Sequence, residues 1–485
     1  MITRKTPLTA RVGIFAVGHN TYWNQFEGLY ETLMGYHQKF SQLVANNPVE
    51  VIDYGMVDDG EKAVQAVKKM AEDHLDILFC NMVTYATSTT FAPIVRNAGI
   101  PIVLVGLQPR SALDYSQANT RMQLENDSIC AIPEFTGVAV RLGKRVNDVI
   151  LGTLENDPDV PVQIAEWCSI AHVLHSLKHA RIGLMGHVME AMYDMHADPT
   201  SLSKTFGIHV PLIEVDEIVS LYEQVTAEET NRYIQIIQNE FDMPNPVSDP
   251  LTEKLTPEDL QEAARTAAAL ERFVNKNRLT GLAYYYEGLP GSLTQHVVSS
   301  LIVGNSLLIA EGFPMCGEYD IKTCIAMLIM DRLGIGGSFA EFHPFDFDEN
   351  FILVGHDGPH HLQIADGRPI LRSLKKYHGK PGKGASVEFK LKEGPITIMG
   401  ITQNQQGEYK FVIGEGYSEK GPIPPTGNTN TRGFFQPTTK DFIKKWVMAG
   451  PTHHYALGIG HHAKTIAKLA EILGVEYTIV GEGQH

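Results

Sequence analysis

The chain of 485 residues has little cysteine, no long apolar segment and no excess of positive charge. Its five cysteines are odd in number and widely scattered, which is typical of reduced thiols rather than of a disulfide framework. No apolar run reaches the roughly 18 residues that span a bilayer, and no charged and then apolar signal stands at the N-terminus. We therefore predict a cytoplasmic protein that does not insert into a membrane.

Acidic side chains outnumber basic ones by 56 to 40, which gives a formal net charge of -16. Nucleic acids and anionic membranes attract proteins through basic surfaces, so neither is a predicted partner. The turn after the first predicted strand lacks the GxGxxG fingerprint, which argues against a dinucleotide cofactor.

Apolar strands alternate with helical segments through the first part of the chain, which predicts a doubly wound parallel sheet. The predicted strands are residues 12–17, 49–54, 77–82 and 102–105, with a helix at 61–72. A second such unit begins near Lys178, with a strand and tight turn at 180–187, a strand at 210–215, a helix at 260–274 and a strand at 282–286.

The pattern changes from about Gly382, where residues 386–391 and 396–399 flank Gly394 and Pro395 and predict an antiparallel hairpin. Residues 421–433 predict a long loop, and residues 463–473 a helix capped by Gly474. The fold prediction is therefore two doubly wound α/β domains followed by a mixed C-terminal domain with antiparallel β-barrel character. We place the three domains at residues 1–175, 176–325 and 326–485.

Four side chains in the C-terminal third are candidate metal ligands: Glu318, Glu341, His356 and His454. Successive members are 23, 15 and 98 residues apart, so only tertiary folding can assemble them. Two carboxylates with two imidazoles suit a divalent metal that holds neighbouring oxygens, such as the hydroxyl and carbonyl of a sugar.

The local sequence around these candidates also favours a site. Glu318 stands just before Asp320, which can cap the apolar helix that follows. Glu341 follows a glycine pair that lets the backbone approach a ligand, and His356 ends an apolar strand. Cys316 is also close in sequence, but we interpret it as a core residue.

Four short segments carry a family resemblance: GEYDIKT (317–323), GGSFAEF (336–342), VGH (354–356) and AGPTHH (449–454). In this order and spacing they resemble the L-arabinose isomerase family, within the arabinose/fucose isomerase group, so the chain is identified as a divergent member. The resemblance implies that Glu318, Glu341, His356 and His454 bind Mn²⁺ or a similar cation. It also implies that the two glutamates are the acid/base pair of an aldose–ketose isomerisation, and that the protein is a hexameric homo-oligomer.

The resemblance further implies residues that contact the sugar. In arabinose isomerases an N-terminal turn and a later loop do so, and they are matched here by segments containing Asn20, Tyr22 and Asp127. The usual residues of both segments are replaced, which leaves the identity of the sugar open. Tyr286 and His453 are further substrate-binding candidates.

Several alternatives stay open at this point. His453 competes with His454 for one ligand position, and we interpret His360, His361, His461 and His462 as surface or helix-terminal residues. Which glutamate removes the carbon proton is undecided, with Glu341 favoured. The same ligands would serve a sugar epimerase or lyase, and two α/β units could also form a non-catalytic sugar-binding protein.

Overall fold

The computed structural model describes residues 2–189, 191–245, 247, 254–357, 360–374, 384–424 and 428–481. The chain divides into two compact units, which are Leu8–Ser176 and, together with Met1–Pro7, Leu177–His485. The predicted division of the second unit near residue 325 stays a prediction.

The centre of the unit Leu8–Ser176 is a parallel sheet of five strands in the order β2-β1-β3-β4-β5. Its strands are β1 (Arg11–Val17), β2 (Glu50–Val57), β3 (Ile77–Met82), β4 (Ile102–Gln108) and β5 (Asp148–Thr153). The helices are α1 (Leu29–Ala45), α2 (Gly60–Glu72), α3 (Ala92–Asn97), α4 (Thr120–Glu125), α5 (Ile132–Arg141) and α6 (Asp159–His179), which continues into the second unit.

Both faces of this sheet are buried against helices. Phe15 and Val17 of β1 belong to a core cluster with residues of α2, α3 and α5, whereas Ala16 belongs to a cluster with residues of α1 and α4. Successive side chains of a strand point to opposite faces, so the helices cover both sides. This confirms the predicted doubly wound arrangement.

The second unit begins with a parallel sheet of four strands in the order β7-β6-β8-β9. These strands are β6 (Ile182–Gly186), β7 (Leu212–Ile213), β8 (Gly281–Tyr285) and β9 (Met315–Cys316). The helices around it are α7 (Pro199–Phe206), α8 (Val215–Glu223), α9 (Ala227–Glu240), α10 (Pro257–Asn277), α11 (Leu293–Ser299), α12 (Ile302–Ala310) and α13 (Ile321–Arg332).

A closed antiparallel barrel follows in the same unit, as predicted. Its six strands pair in the order β14-β17-β10-β11-β16-β15, and β15 pairs with β14 to close the ring. The remaining elements are β10 (Gly336–Asp346), β11 (Phe351–His356), β12 (Ile370–Ser373), β13 (Ala385–Glu388), β14 (Gly394–Gln403), β15 (Tyr409–Glu419), β16 (Thr429–Phe435), α14 (Thr439–Met448), β17 (Tyr455–Ile459), α15 (Ala463–Leu473) and β18 (Glu476–Val480), which adds to β15 in parallel.

Helix α13 is buried on every side, from Ile321 to Arg332. It contacts β8 and β9 of the parallel sheet as well as β10, β14 and β17 of the barrel. Near its C-terminal end, Asp331 accepts hydrogen bonds from Arg4, one of 2.9 Å, and from Arg332. A helix enclosed in this way has a fixed position, so the loop before it and the strand after it are fixed too.

Three predicted elements differ from the structure. The predicted hairpin is wrong, because β13 pairs with β12 and β14 pairs with β15. The predicted long loop is shorter, since β16 begins at Thr429, although residues 425–427 lie outside the described residues. The strand expected at 210–215 is limited to Leu212–Ile213, because α8 begins at Val215. Apolar alternation indicates a strand but does not identify its partner.

One segment, Leu293–Ala310, is long and apolar enough to cross a membrane by length and composition. The sequence prediction that no such run exists is therefore too strict. However, 61% of the segment is buried, and it is divided into α11 and α12. A core helix of a folded protein passes the same test.

Replacing Gly337 by alanine should destabilise the fold. Gly337 has a φ of +106°, and a Cβ atom there would lie 2.7 Å from the carbonyl oxygen of Met327 in α13. Because that neighbour is backbone, we expect a loss of about 2 kcal/mol or more in the free energy of unfolding. Denaturant titration of the purified variant measures this loss.

Gly334→Ala is the matched control. Gly334 also has a positive φ, +79°, but a Cβ atom there would meet open space. Only the backbone conformation is then penalised, at about 1 kcal/mol. Equal losses in the two variants would contradict a close approach at Gly337.

Candidate active site

Glu318 lies in the loop between β9 and α13, in a left-handed backbone conformation. The φ angle is 57° at Glu318 and 66° at Tyr319, a conformation that costs a residue with a Cβ atom roughly 1–2 kcal/mol. The amide of Tyr319 donates to the carbonyl of Tyr284 in β8 at 3.1 Å. Asp320 caps α13, as predicted, by accepting from the amide of Thr323 at 3.1 Å. These bonds hold the carboxylate in place before the helix.

Glu341 and His356 lie on the adjacent barrel strands β10 and β11. Glu341 pairs with Gly355, and its Oε1 is 3.8 Å from Nε2 of His356. A Cβ atom at Gly355 would lie 1.9 Å from the carbonyl oxygen of Thr429, so only glycine fits between the strands. His356 is buried and ends its strand, as the sequence predicts.

His454 is fully buried immediately before β17 and connects the two glutamate-bearing regions. Its Nδ1 is 3.1 Å from Oδ2 of Asp320, and its Nε2 is 3.3 Å from Oε2 of Glu318. Because the Asp320 carboxylate accepts from Nδ1, Nε2 is the nitrogen available to a ligand. The ring of Phe339 packs beside both imidazoles, 4.4 Å from His454 and 4.2 Å from His356.

Two groups of potential metal-ligating atoms result. One contains Glu318, His453 and His454, and the other Glu341, His356 and His454; within each group the atoms lie within 4.8 Å of one another. His454 is common to both groups. The four candidates expected from the sequence therefore lie in two overlapping groups that share His454, and His453 belongs to the group of Glu318.

The donor set fits a divalent cation. Glu318 Oε2 and His454 Nε2 are buried and 3.3 Å apart, yet neither completes a hydrogen bond within the described part of the chain. Buried polar atoms without such a partner are uncommon and call for another partner, such as an ion. Carboxylate oxygens with imidazole nitrogens suit manganese-type metals.

Burial and nearby charges favour the cation-binding forms of Glu318 and His356, but they favour the protonated form of His454. Burial opposes ionisation of Glu318, but the imidazoles of His453 and His454 outweigh it and hold its pKa well below the usual value. Burial, reinforced by the nearby charge of His454, lowers the pKa of His356. Burial would lower the pKa of His454 as well, but Asp320 and Glu318 raise it to about 9. A cation that binds His454 therefore displaces a proton.

A cavity of about 350 Å³ opens beside Glu341 and His453. Part of its wall is polar and includes Asp194, which pairs with His453. The other part is mostly apolar and consists of Phe342, Trp446, Val447 and Pro451. The cavity therefore offers a small molecule both a carboxylate side and an apolar side.

The candidates Asn20, Tyr22 and Asp127 belong to the other compact unit, Leu8–Ser176. Residues Asn20–Tyr22 form a 3-10 turn after β1, and the rings of Tyr22 and His19 are 5.1 Å apart. Burial raises the pKa of Tyr22, and the charges of Tyr85, Asp127 and Cys130 contribute. Their role in binding substrate stays a prediction.

The remaining candidate, Tyr286, follows β8, and its ring lies 5.9 Å from that of His187. The interpretation of His360 and His361 as surface residues is wrong, because both are buried. His461 is exposed and His462 stands at the N-terminal end of α15, as expected.

Sequence reasoning missed Asp194 and the contact of Asp320 with His454. The sequence identifies Asp320 only as a helix cap. Its position in the segment 317–323, two residues after Glu318, is the signal that could have indicated its contact with His454. No motif marks Asp194, which reaches His453 only through the fold.

Two families of known domains match parts of this chain. The family described as the L-arabinose isomerase central domain matches residues 181–336, and that described as the L-fucose isomerase C-terminal domain matches residues 355–480. The L-arabinose isomerase of Herpetosiphon aurantiacus is 24% identical over 82% of this chain and 78% of its own length. The L-arabinose isomerase of Anoxybacillus flavithermus is 23% identical over 77% of this chain and 73% of its own length.

Two isomerase domain families thus cover the second parallel sheet and most of the barrel. Together with these relatives, which align over most of the chain, they support a divergent member of the L-arabinose isomerase family, as the four sequence segments predict.

His454 should contribute more to metal binding than His453. His454 belongs to both ligand groups, whereas His453 belongs only to the group that contains Glu318. We expect His454→Gln to weaken Mn²⁺ binding by about 100-fold or more and His453→Gln by less than about tenfold. Electron paramagnetic resonance of free Mn²⁺ measures both affinities.

His461→Ala is the control, because His461 is exposed and belongs to neither group. It should bind Mn²⁺ like the unmodified protein, and a thermal unfolding curve checks that each variant is folded. A larger loss in His453→Gln than in His454→Gln would show that the ligand has been assigned to the wrong histidine.

Proposed function

We propose that this protein is a metal-dependent aldose–ketose sugar isomerase. The observation that carries the proposal is the pair of ligand groups, in which Glu318 and Glu341 each approach an imidazole and both groups share His454. Membership of the L-arabinose isomerase family supports the same reaction class.

The reaction moves a hydrogen between C1 and C2 of a sugar. A base must remove a weakly acidic proton from carbon, and protons must also be exchanged at the two oxygens of the enediol intermediate. Two carboxylates can divide these tasks if their environments differ. A manganese-type cation, when bound, would stabilise the negative charge that develops on the neighbouring oxygens.

The surroundings of the two glutamates support different roles. Glu341 lines the cavity and its side chain is 31% exposed, so it can reach a bound substrate. Glu318 is 23% exposed and lies against the imidazoles of His453 and His454. We therefore assign the carbon proton to Glu341 and exchange with the sugar oxygens to Glu318. Glu318, Glu341, His356 and His454 would hold the cation.

The identity of the sugar is part of the test. The apolar cavity wall formed by Phe342, Trp446, Val447 and Pro451 favours a substrate that places carbon rather than hydroxyl groups there. A suitable panel therefore includes aldopentoses, aldohexoses and deoxy sugars.

The proposal includes a cytoplasmic location and a homo-oligomer, with a hexamer as the expected form. The hexamer is what the family resemblance implies. Size-exclusion chromatography with light scattering measures the oligomer, and a monomer that turns over sugar would contradict the assembly.

Activity should require the metal and both glutamates. We expect the metal-stripped protein to form ketose from at least one sugar of the panel only after Mn²⁺ is added. Glu318→Gln and Glu341→Gln should each lower kcat by about 100-fold or more, because neither amide can exchange a proton as a carboxylate does. Ketose formation is measured by chromatography of the products.

Glu393→Gln is the control, because Glu393 is exposed immediately before β14 and its carboxylate lies 3.9 Å from the ammonium of Lys420. It should retain normal turnover. If a sugar is instead converted to its epimer or to cleavage products, the protein is an epimerase or a lyase and the proposed isomerase function is wrong. Full activity in both active-site glutamine variants would contradict the acid/base assignment.

A further inference from the structure

Asp194 makes two hydrogen bonds to a single residue of the candidate site, His453. It lies in a 3-10 turn, Tyr193–Met195, which is far from His453 in sequence. Its Oδ2 accepts from the backbone amide of His453 at 3.1 Å and lies 2.6 Å from the ring nitrogen Nδ1. One carboxylate oxygen therefore holds both the main chain and the side chain of His453.

These contacts define the orientation of the ring. A carboxylate accepts hydrogen bonds, so Nδ1 of His453 is the protonated nitrogen in this pair. The other nitrogen, Nε2, then faces the site, 3.9 Å from Oε2 of Glu318. Both Asp194 and His453 line the cavity beside Glu341, so the oriented nitrogen is accessible to a molecule bound there.

The turn that carries Asp194 is anchored to α13. Lys322, in the first turn of that helix, is 2% exposed, and its ammonium donates to the carbonyl oxygens of Asp194 and, at 3.2 Å, of His196. Met195 between them is also buried. Because Glu318 precedes the same helix, Asp194 and Glu318 are both fixed relative to its N-terminus.

We propose that Asp194 is a positioning residue that orients the His453 ring so that Nε2 contacts a substrate hydroxyl next to Glu318. This rests on the proposed isomerase function, since the hydroxyl is that of an aldose. Asp194 acts through His453, and its carboxylate is not a metal ligand. The ligand chemistry is thus a sugar oxygen held between an imidazole and the Glu318 carboxylate.

Substitutions at Asp194 test the proposal. Asp194→Ala removes the acceptor and should lower kcat/KM by about 10- to 100-fold, the usual effect of losing an orienting partner. Asp194→Asn keeps an oxygen that can accept from Nδ1 and should recover most of that loss. Mn²⁺ affinity should change by less than about threefold in both. Asp198→Asn is the matched control, because Asp198 caps α7 and asparagine caps equally well.

A double-mutant cycle separates an action through His453 from a general effect on the fold. In the His453→Gln background, Asp194→Ala should cost less than about twofold in kcat/KM, because the group it orients is gone. The same loss in both backgrounds would overturn the proposal. A melting temperature equal to that of Asp198→Asn checks that Asp194→Ala is folded.

Crystal structures provide a readout that does not depend on activity. In Asp194→Ala the His453 ring should turn so that Nε2 no longer faces Glu318, whereas in Asp194→Asn it should keep its orientation. An unchanged ring in Asp194→Ala would overturn the positioning role even if the protein is an isomerase. If the unmodified protein converts no sugar, the proposed function fails, and the ring orientation still decides whether Asp194 positions His453.

Discussion

The complete burial of helix α13 is the constraint on which the candidate site depends. Each residue from Ile321 to Arg332 is enclosed, so a shift or rotation of the helix would expose apolar surface or unpair a buried charge. The helix is capped by Asp320, which also contacts His454, and it is followed by the strand that carries Glu341. Lys322 of the same helix donates to the carbonyl oxygen of Asp194, so the position of the turn that contains Asp194 also depends on α13.

The site contains backbone conformations and buried polar side chains that are uncommon in a protein core. Glu318 and Tyr319 have left-handed backbone conformations, and His454 and Lys322 are buried polar side chains. Such strain and such buried groups persist only where the surrounding structure determines them. The loop is held in two places, because β8 binds the backbone of Tyr319 and α13 continues from the C-terminal end of the loop. The candidate ligand atoms are therefore close together before any cation is bound.

Much of this architecture could be predicted from local sequence. Helix α15 with its glycine cap, strand β3 and the strand ending at His356 agree with the structure because each depends on its own apolar pattern and end residues. The partner of β13 and the burial of His360 could not be predicted, since both depend on which distant strands fold together. The same reason applies to Asp194, whose contact with His453 joins residues that no local pattern connects.

We propose that Glu318, Glu341, His356 and His454 hold one divalent cation. Anomalous X-ray scattering at the manganese edge, from crystals of the unmodified protein grown with Mn²⁺, tests it most directly. We expect a single strong peak at about 2.0–2.4 Å from an oxygen of each glutamate and from Nε2 of each histidine, the usual range for such bonds. A peak elsewhere, or no peak among these four side chains, would contradict it.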